Sequence, residues 1–178
     1  MPIKETMNQI GKQYGLQVEQ IYQIWNTVSL DLHNLNIEGN SILAFSDGLN
    51  NSTQAIKSKD KAKAMEELAK LYELLPKYAQ TYEPEAQKTK MLAIETQVVA
   101  SYVAVTNEKW QEAATTLTEA EKQFANILNT VNENHENQTT MSQCYIIVNE
   151  LRNAVNLKDR DIFYIQYHNF ITKMGMLV

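Results

Sequence analysis

The three histidines of this 178-residue chain, His33, His135 and His168, are the side chains best suited to bind a metal ion or transfer a proton. No Glu stands three residues before any of them, so the Glu-x-x-His pattern of di-iron bundles is missing. The His-x-x-x-His pair of helical zinc sites is missing as well. His135 lies between Glu133 and Glu136 in a polar stretch, where we expect a solvated loop. The sequence therefore predicts no metal site and no cofactor.

His33 stands in a segment that is similar to the phosphoacceptor motif of histidine phosphotransfer bundles, His-x-Leu-Lys-Gly. His33 and Leu35 match this motif, whereas Asn36 stands in place of its Lys and Ile37 in place of its Gly. Because both of these positions differ, we expect His33 to be a helix residue at the edge of an apolar stripe. Signal relay through His33 ranks third among the functional hypotheses.

The nucleophiles and carboxylates do not form a catalytic pattern either. Cys144 is the only cysteine, which excludes an internal disulfide and a cysteine-based metal site. It falls on an apolar helical stripe, so we expect a buried, unreactive thiol. Neighbouring carboxylates such as Glu66 and Glu67 occupy the outer faces of amphipathic helices, whereas a general acid needs burial to raise its pKa. Gly-x-Ser-x-Gly and glycine-rich phosphate loops are missing too, so the sequence predicts a protein that is not an enzyme.

The net charge and the hydropathy of the chain argue against several classes of partner. The formal net charge is −5, which argues against binding nucleic acid or anionic lipid. Lysines alternate with other residues from Lys57 to Lys63, and we expect this run to be a solvated turn and the start of a helix. No apolar run is long enough to span a membrane, and the first residues lack the apolar core of a secretory signal. The chain as written is expected to be soluble, extracytoplasmic if a leader precedes residue 1 and cytoplasmic otherwise.

Apolar residues recur at alternating intervals of three and four, which places them on one face of a helix. No segment shows the two-residue period of a strand, so the sequence predicts an all-α protein. We expect an antiparallel bundle of αα-hairpins with about 6–7 helices. It would form one domain over 1–178, with 1–16 as an N-terminal arm and 17–178 as the bundle. The clearest stripes are Trp25, Val28 and Leu32; Met65, Leu68, Tyr72 and Leu75; Trp110, Ala113, Leu117, Ala120, Phe124 and Ile127; Met141, Cys144, Val148 and Leu151; and Phe163, Tyr167, Phe170 and Met174.

Three short segments suggest an internal repeat of helical hairpins. They begin at Ala55, Ala104 and Ala154, which are 49 and 50 residues apart, and each joins two amphipathic patterns. Trp110 to Ala114, followed by Leu117 and Ala120, resembles the second helix of a tetratricopeptide unit over about a dozen residues. The first-helix signature of that family is not matched, and the spacing exceeds its repeat. A stack of tetratricopeptide-like αα-hairpins is therefore the alternative to the bundle.

Glycine, proline and capping residues mark the expected helix ends. Gly39 leaves two interpretations of residues 17–57 open, a single long helix or a hairpin. Pro76 should kink or shorten the last turn of its helix because proline lacks an amide donor. Asn107 and Asp159 are predicted to cap the helices that follow them. Residues 132–140 are predicted to form a polar loop.

The last helical segment offers the best-located candidate site. From Ile162 to Ile171 it carries apolar or aromatic residues on more than one face, as helices do when they are buried or bind a partner. Tyr164, Tyr167 and His168 are therefore the candidate partner-binding residues. We expect a non-enzymatic helical interaction or scaffold domain that binds a protein partner or another copy, such as the soluble part of a bacterial surface protein or lipoprotein. The alternative is a bundle that binds a small molecule or a metal, with aromatic residues including Trp25, Tyr72 and Tyr102 lining a cavity.

Overall fold

The computed structural model describes residues 19–34, 37–82, 87–130 and 135–177. The predicted N-terminal arm, residues 1–16, lies outside these ranges. The described residues are helical or lie in the turns between helices, and they contain no strand, which confirms the all-α prediction. Seven helices occur in these ranges: α1 over 19–34, α2 Gly39–Lys57, α3 Lys61–Tyr82, α4 Gln87–Thr106, α5 Trp110–Thr130, α6 His135–Leu157 and α7 Arg160–Met174.

The chain divides into two compact units, Met1–Ala64 and Met65–Val178, and α3 begins just before the boundary. The prediction of one domain over the whole length stays a prediction. None of the helices in the described ranges has both the length and the hydropathy that crossing a membrane requires.

In the first unit, α1 and α2 form a hairpin. The indole N–H of Trp25 donates a hydrogen bond to Ser46 Oγ at 2.8 Å, and the phenol of Tyr22 donates to Asn50 Oδ1 at 2.7 Å. The earlier residue of α1 pairs with the later residue of α2, so the two helices run antiparallel. Residues 17–57 therefore contain a hairpin, not one long bent helix.

In the second unit, four helices close into an antiparallel bundle. The helix α4 packs against α5 and α7, and α6 packs against the same two helices. This ring is the predicted bundle, since a linear stack of hairpins would not bring α4 against α7. The fully buried core is built mainly from the predicted stripes: Ile94, Val98, Val105, Ala113, Leu117, Ala120, Phe124, Met141, Cys144, Val148, Leu151, Phe163 and Phe170.

The three predicted turns share one geometry. In each turn a residue adopts the left-handed conformation: Lys59 with φ 60°, Glu108 with φ 60° and Lys158 with φ 55°. The N–H of this residue donates to the carbonyl three residues earlier, and the next N–H donates to the carbonyl five residues earlier. This pair of hydrogen bonds is the Schellman motif, which satisfies the last carbonyls of a helix. The alanine that opens each segment is buried in all three: Ala55, Ala104 and Ala154.

Some predicted helix ends are confirmed and others are wrong. Asp159 caps α7, because its side chain accepts a hydrogen bond from the Ile162 N–H at 3.0 Å. Asn107 is not the cap of α5; its N–H bonds back to Val103, and its side-chain amide donates to Glu66 Oε1 at 3.0 Å. The predicted polar loop is wrong from residue 135 onward, because α6 already begins at His135.

Pro76 lies inside α3 and does not end it, since the helix continues to Tyr82. Proline removes only its own amide hydrogen bond, to the carbonyl of Tyr72, so the backbone beyond it is free to stay helical. Pro76 is itself buried in the second unit. The predicted shortening of this helix is therefore wrong, and the alternative, a kink at Pro76, stays a prediction.

Candidate functional site

The candidate residues of α7 do not form one exposed patch. Tyr164 and Tyr167 are half-buried, with ring centroids 5.3 Å and 4.4 Å from that of Tyr102 on α4. His168 is exposed, and its ring centroid lies 6.2 Å from that of Tyr167. The structure therefore places the two tyrosines together against α4 and leaves the histidine in solvent. Whether any of the three binds a partner stays a prediction.

The two tyrosines belong to a cluster that the sequence reasoning did not find. The phenol of Tyr72 on α3 donates a hydrogen bond to Glu95 Oε1 on α4 at 2.9 Å. Tyr167 lies near both groups: it contributes to the raised pKa of Tyr72, and the charge of Glu95 contributes to the raised pKa of Tyr167. We call this set the tyrosine–glutamate cluster; its members come from three helices and are Tyr72, Glu95, Tyr102, Tyr164 and Tyr167.

Position along the helices explains why these side chains meet. Tyr102 and Glu95 are seven residues apart on α4, which is two helical turns and places them on the same side of the helix. On α7, Tyr164 and Tyr167 are three residues apart and also share a side. Thr106, one turn beyond Tyr102, lies 3.3 Å from the hydroxyl of Tyr164 through its Oγ1 atom and so extends the polar contacts.

The phenols of Tyr72, Tyr102 and Tyr167 remain protonated at neutral pH. Burial, together with the neighbouring Tyr102 and Glu95, raises the pKa of Tyr167 to about 12. Burial and the charge of Glu95 also raise the pKa of Tyr72, and burial raises that of Tyr102. Protonated phenols donate hydrogen bonds and present π faces, but they are poor bases and nucleophiles. These three phenols of the cluster are therefore suited to binding and not to proton abstraction.

One signal in the sequence points to Glu95. Between Met91 and Thr106 it is the only charged residue; the other charges of α4, Lys88 and Lys90, lie in the first turn of the helix. A lone charge in an otherwise uncharged stretch marks a position where the fold must provide a partner for it. The search for paired carboxylates missed it because that search required two acids close together.

A second surface lies on the opposite side of α7, facing away from α4. A groove of about 380 Å³ runs between α6 and α7 and is lined by Gln143, Ile146, Ile147, Asn169, Thr172 and Lys173. Ile146 is 58% exposed, and Ile165, one turn before Asn169, is 61% exposed. Ile162 shares this side of α7 by helical spacing and is also exposed. We call this surface, formed by Gln143, Ile146, Ile162, Ile165, Asn169 and Thr172, the α6–α7 outer face.

The remaining sequence candidates are not members of either site. His33 is exposed near the end of α1. Trp25 belongs to the first unit, where its ring stacks on that of Phe45 at a centroid distance of 4.0 Å. Cys144 is fully buried, and burial raises its pKa to about 11, so it is a thiol at neutral pH. Within the described ranges, no three His, Cys, Asp or Glu side chains gather as a metal site would require.

Comparison of this chain with protein-family models, with curated proteins and with solved structures yields no match.

Proposed function

We propose that this chain is a non-enzymatic helical interaction domain that pairs with a second copy of itself through the α6–α7 outer face. The observation that supports the proposal is the exposure of three isoleucines, Ile146, Ile162 and Ile165, beside one groove of a bundle whose other apolar stripes are buried. Exposed aliphatic side chains that share one face are typical of binding surfaces, because covering them removes apolar area from water.

The charge of this face favours a second copy as the occupant. Charged side chains of both signs border it: Lys173 lines the groove, Glu150 lies one turn from Ile146, and Asp161 lies one turn before Ile165. A face that carries both signs can place unlike charges of two copies opposite each other. The amides of Gln143 and Asn169 each donate and accept hydrogen bonds, so they can pair with the same groups of another copy. Such self-complementarity is what a two-fold interface requires.

Other features agree with a binding role. Raised pKa values keep Tyr167 and Cys144 protonated, which disfavours both as nucleophiles. The acidic net charge disfavours nucleic acid as a partner. We extend the proposal to the soluble part of a bacterial surface protein or lipoprotein, on the basis of the acidic composition alone. A signal sequence or a lipid-attachment cysteine encoded ahead of residue 1 would support this extension, and a native start at Met1 would contradict it.

Sedimentation equilibrium of the full chain tests the pairing. We expect a reversible dimer whose dissociation constant rises at least about tenfold in Ile146→Glu and in Ile165→Glu, because each change buries an unpaired carboxylate in the interface. Leu43→Glu is the matched control, since Leu43 is also 61% exposed but lies in the first unit. A wild-type chain that stays monomeric at high micromolar concentration, or Glu variants that dimerise normally, would overturn the proposal.

A further inference from the structure

The half-buried carboxylates of the second unit generally have a cationic partner. Lys70 Nζ lies 2.7 Å from Glu67 Oε1, and the side chain of Glu67 is only 12% exposed, so the expectation that Glu67 lies on an outer helix face is wrong. Arg152 bonds to Glu121, whose side chain is 18% exposed. These pairs follow the general rule that a carboxylate withdrawn from water needs a compensating charge.

Two half-buried carboxylates of this unit, Asp159 and Glu95, are in none of the ion pairs found among the described residues. Asp159 instead caps the positive end of α7 through the Ile162 N–H, which leaves Glu95 as the carboxylate to explain. Its hydrogen-bond donor is the phenol of Tyr72, which is neutral. A neutral donor satisfies one oxygen of the carboxylate but leaves its charge uncompensated. One cation bound beside Glu95 would therefore compensate the charge of the carboxylate.

The surroundings of Glu95 define what kind of cation fits. Tyr72, Tyr102, Tyr164 and Tyr167 are all half-buried, so none of these side chains is wholly withdrawn from solvent. The faces of aromatic rings attract organic cations, and a quaternary ammonium gains most from them because it is weakly hydrated. A divalent metal would need several oxygen ligands, and this cluster offers one carboxylate and otherwise neutral phenols.

We infer that the tyrosine–glutamate cluster binds a small organic ammonium ion, with Glu95 supplying the negative charge and the rings of Tyr72, Tyr102 and Tyr167 contacting the alkylated nitrogen. This function is independent of pairing through the α6–α7 outer face, because that face lies on the other side of α7. It belongs to the class of small-molecule-binding bundles.

Choline and its uncharged isostere 3,3-dimethylbutan-1-ol provide the test, because they share a shape and differ in charge. We expect choline to raise the melting temperature of the full chain and to shift the NMR signals of the cluster, whereas the isostere does neither, since only a ligand that prefers the folded state stabilises it. Equal effects of the two compounds, or no effect of choline at millimolar concentration, would overturn the inference.

Two substitutions locate the binding. Glu95→Gln keeps the shape and removes the charge, so choline should bind at least about tenfold more weakly. Glu73→Gln is the matched control, because Glu73 is exposed on α3, one residue from Tyr72, and its loss should leave choline binding unchanged. If Glu95→Gln does not fold, as circular dichroism would reveal, Tyr102→Leu takes its place with an expected loss of about threefold or more. Wild-type affinity in the folded variant would count against the inference.

Discussion

The phenol of Tyr167 has a raised pKa, so its contribution to stability depends on pH. Its pKa is raised from 10.0 to about 12, mainly by burial. A raised pKa means that the contribution of this phenol to stability is complete below pH 10, the pKa in the unfolded chain, and is lost as the pH rises through about 12. The sign follows because the unfolded chain releases the proton first, which favours unfolding at alkaline pH.

We therefore expect the free energy of unfolding of the wild-type chain to fall more steeply than that of Tyr167→Phe between pH 10 and about 12. Urea unfolding at a series of alkaline pH values measures the difference. The difference between the two profiles reports the ionisation of Tyr167 together with its effect on the pKa of Tyr72. Parallel pH profiles for the two proteins would show that Tyr167 ionises normally in the folded state.

For individual residues of α7, the sequence predicted some members of the candidate sites and missed others. Tyr164 and Tyr167 were chosen as aromatic residues on α7, but which side of the helix would face solvent depends on the neighbouring helices. The structure covers their side with α4 and exposes Ile162 and Ile165 instead. A helix with apolar groups on several faces does not reveal in its sequence which face stays open.

Among the helices, those buried on one side could be predicted from the sequence, whereas α4, which is buried on several sides, could not. The stripe from Trp110 to Ile127 places α5 correctly, because one face of that helix packs against the core and the other faces solvent. No stripe was found for α4, since α4 packs against two helices and also hydrogen-bonds to α3 through Glu95. Burial on several sides removes the three-four period. The start of α6 was missed because polar residues are equally compatible with a loop and a helical first turn.

The repeated turn gives the prediction that belongs to the element scale. Lys158 adopts a left-handed φ of 55°, a conformation that costs an L-residue roughly 1 kcal/mol and glycine almost nothing. Lys158→Gly should therefore raise the free energy of unfolding by about 1 kcal/mol, or somewhat less because glycine also loosens the unfolded chain. Chemical denaturation with urea measures the change.

The control for this change is Lys122→Gly, at an exposed position inside α5, where glycine should lower stability by about 1 kcal/mol. If the free energy of unfolding rises in Lys158→Gly and falls in Lys122→Gly, the backbone conformation at each position is the cause of the difference. A destabilised Lys158→Gly would instead mean that its side chain contributes more than the strain costs.

For the whole molecule, the two units differ in how much apolar surface they bury. In the first unit α1 buries Trp25 and Leu32, while Ile21 and Val28 on the same predicted stripe stay exposed. In the second unit each stripe residue of α6 from Met141 to Leu151 is fully buried. Because burial of apolar area is the main favourable term in folding, the two helices should not be equally stable.

We therefore expect amide hydrogen exchange to be slowest in α6, where it requires unfolding of the whole bundle, and much faster in α1, where a local opening exposes little apolar surface. Exchange measured by mass spectrometry at increasing urea concentration separates the two cases: α6 should follow global unfolding, and α1 should exchange at a rate that urea hardly changes. Equal protection of α1 and α6 would mean that the chain unfolds as one cooperative body, as the prediction of a single domain over 1–178 requires. The same experiment thus tests both the ranking of the helices and the independence of the two units.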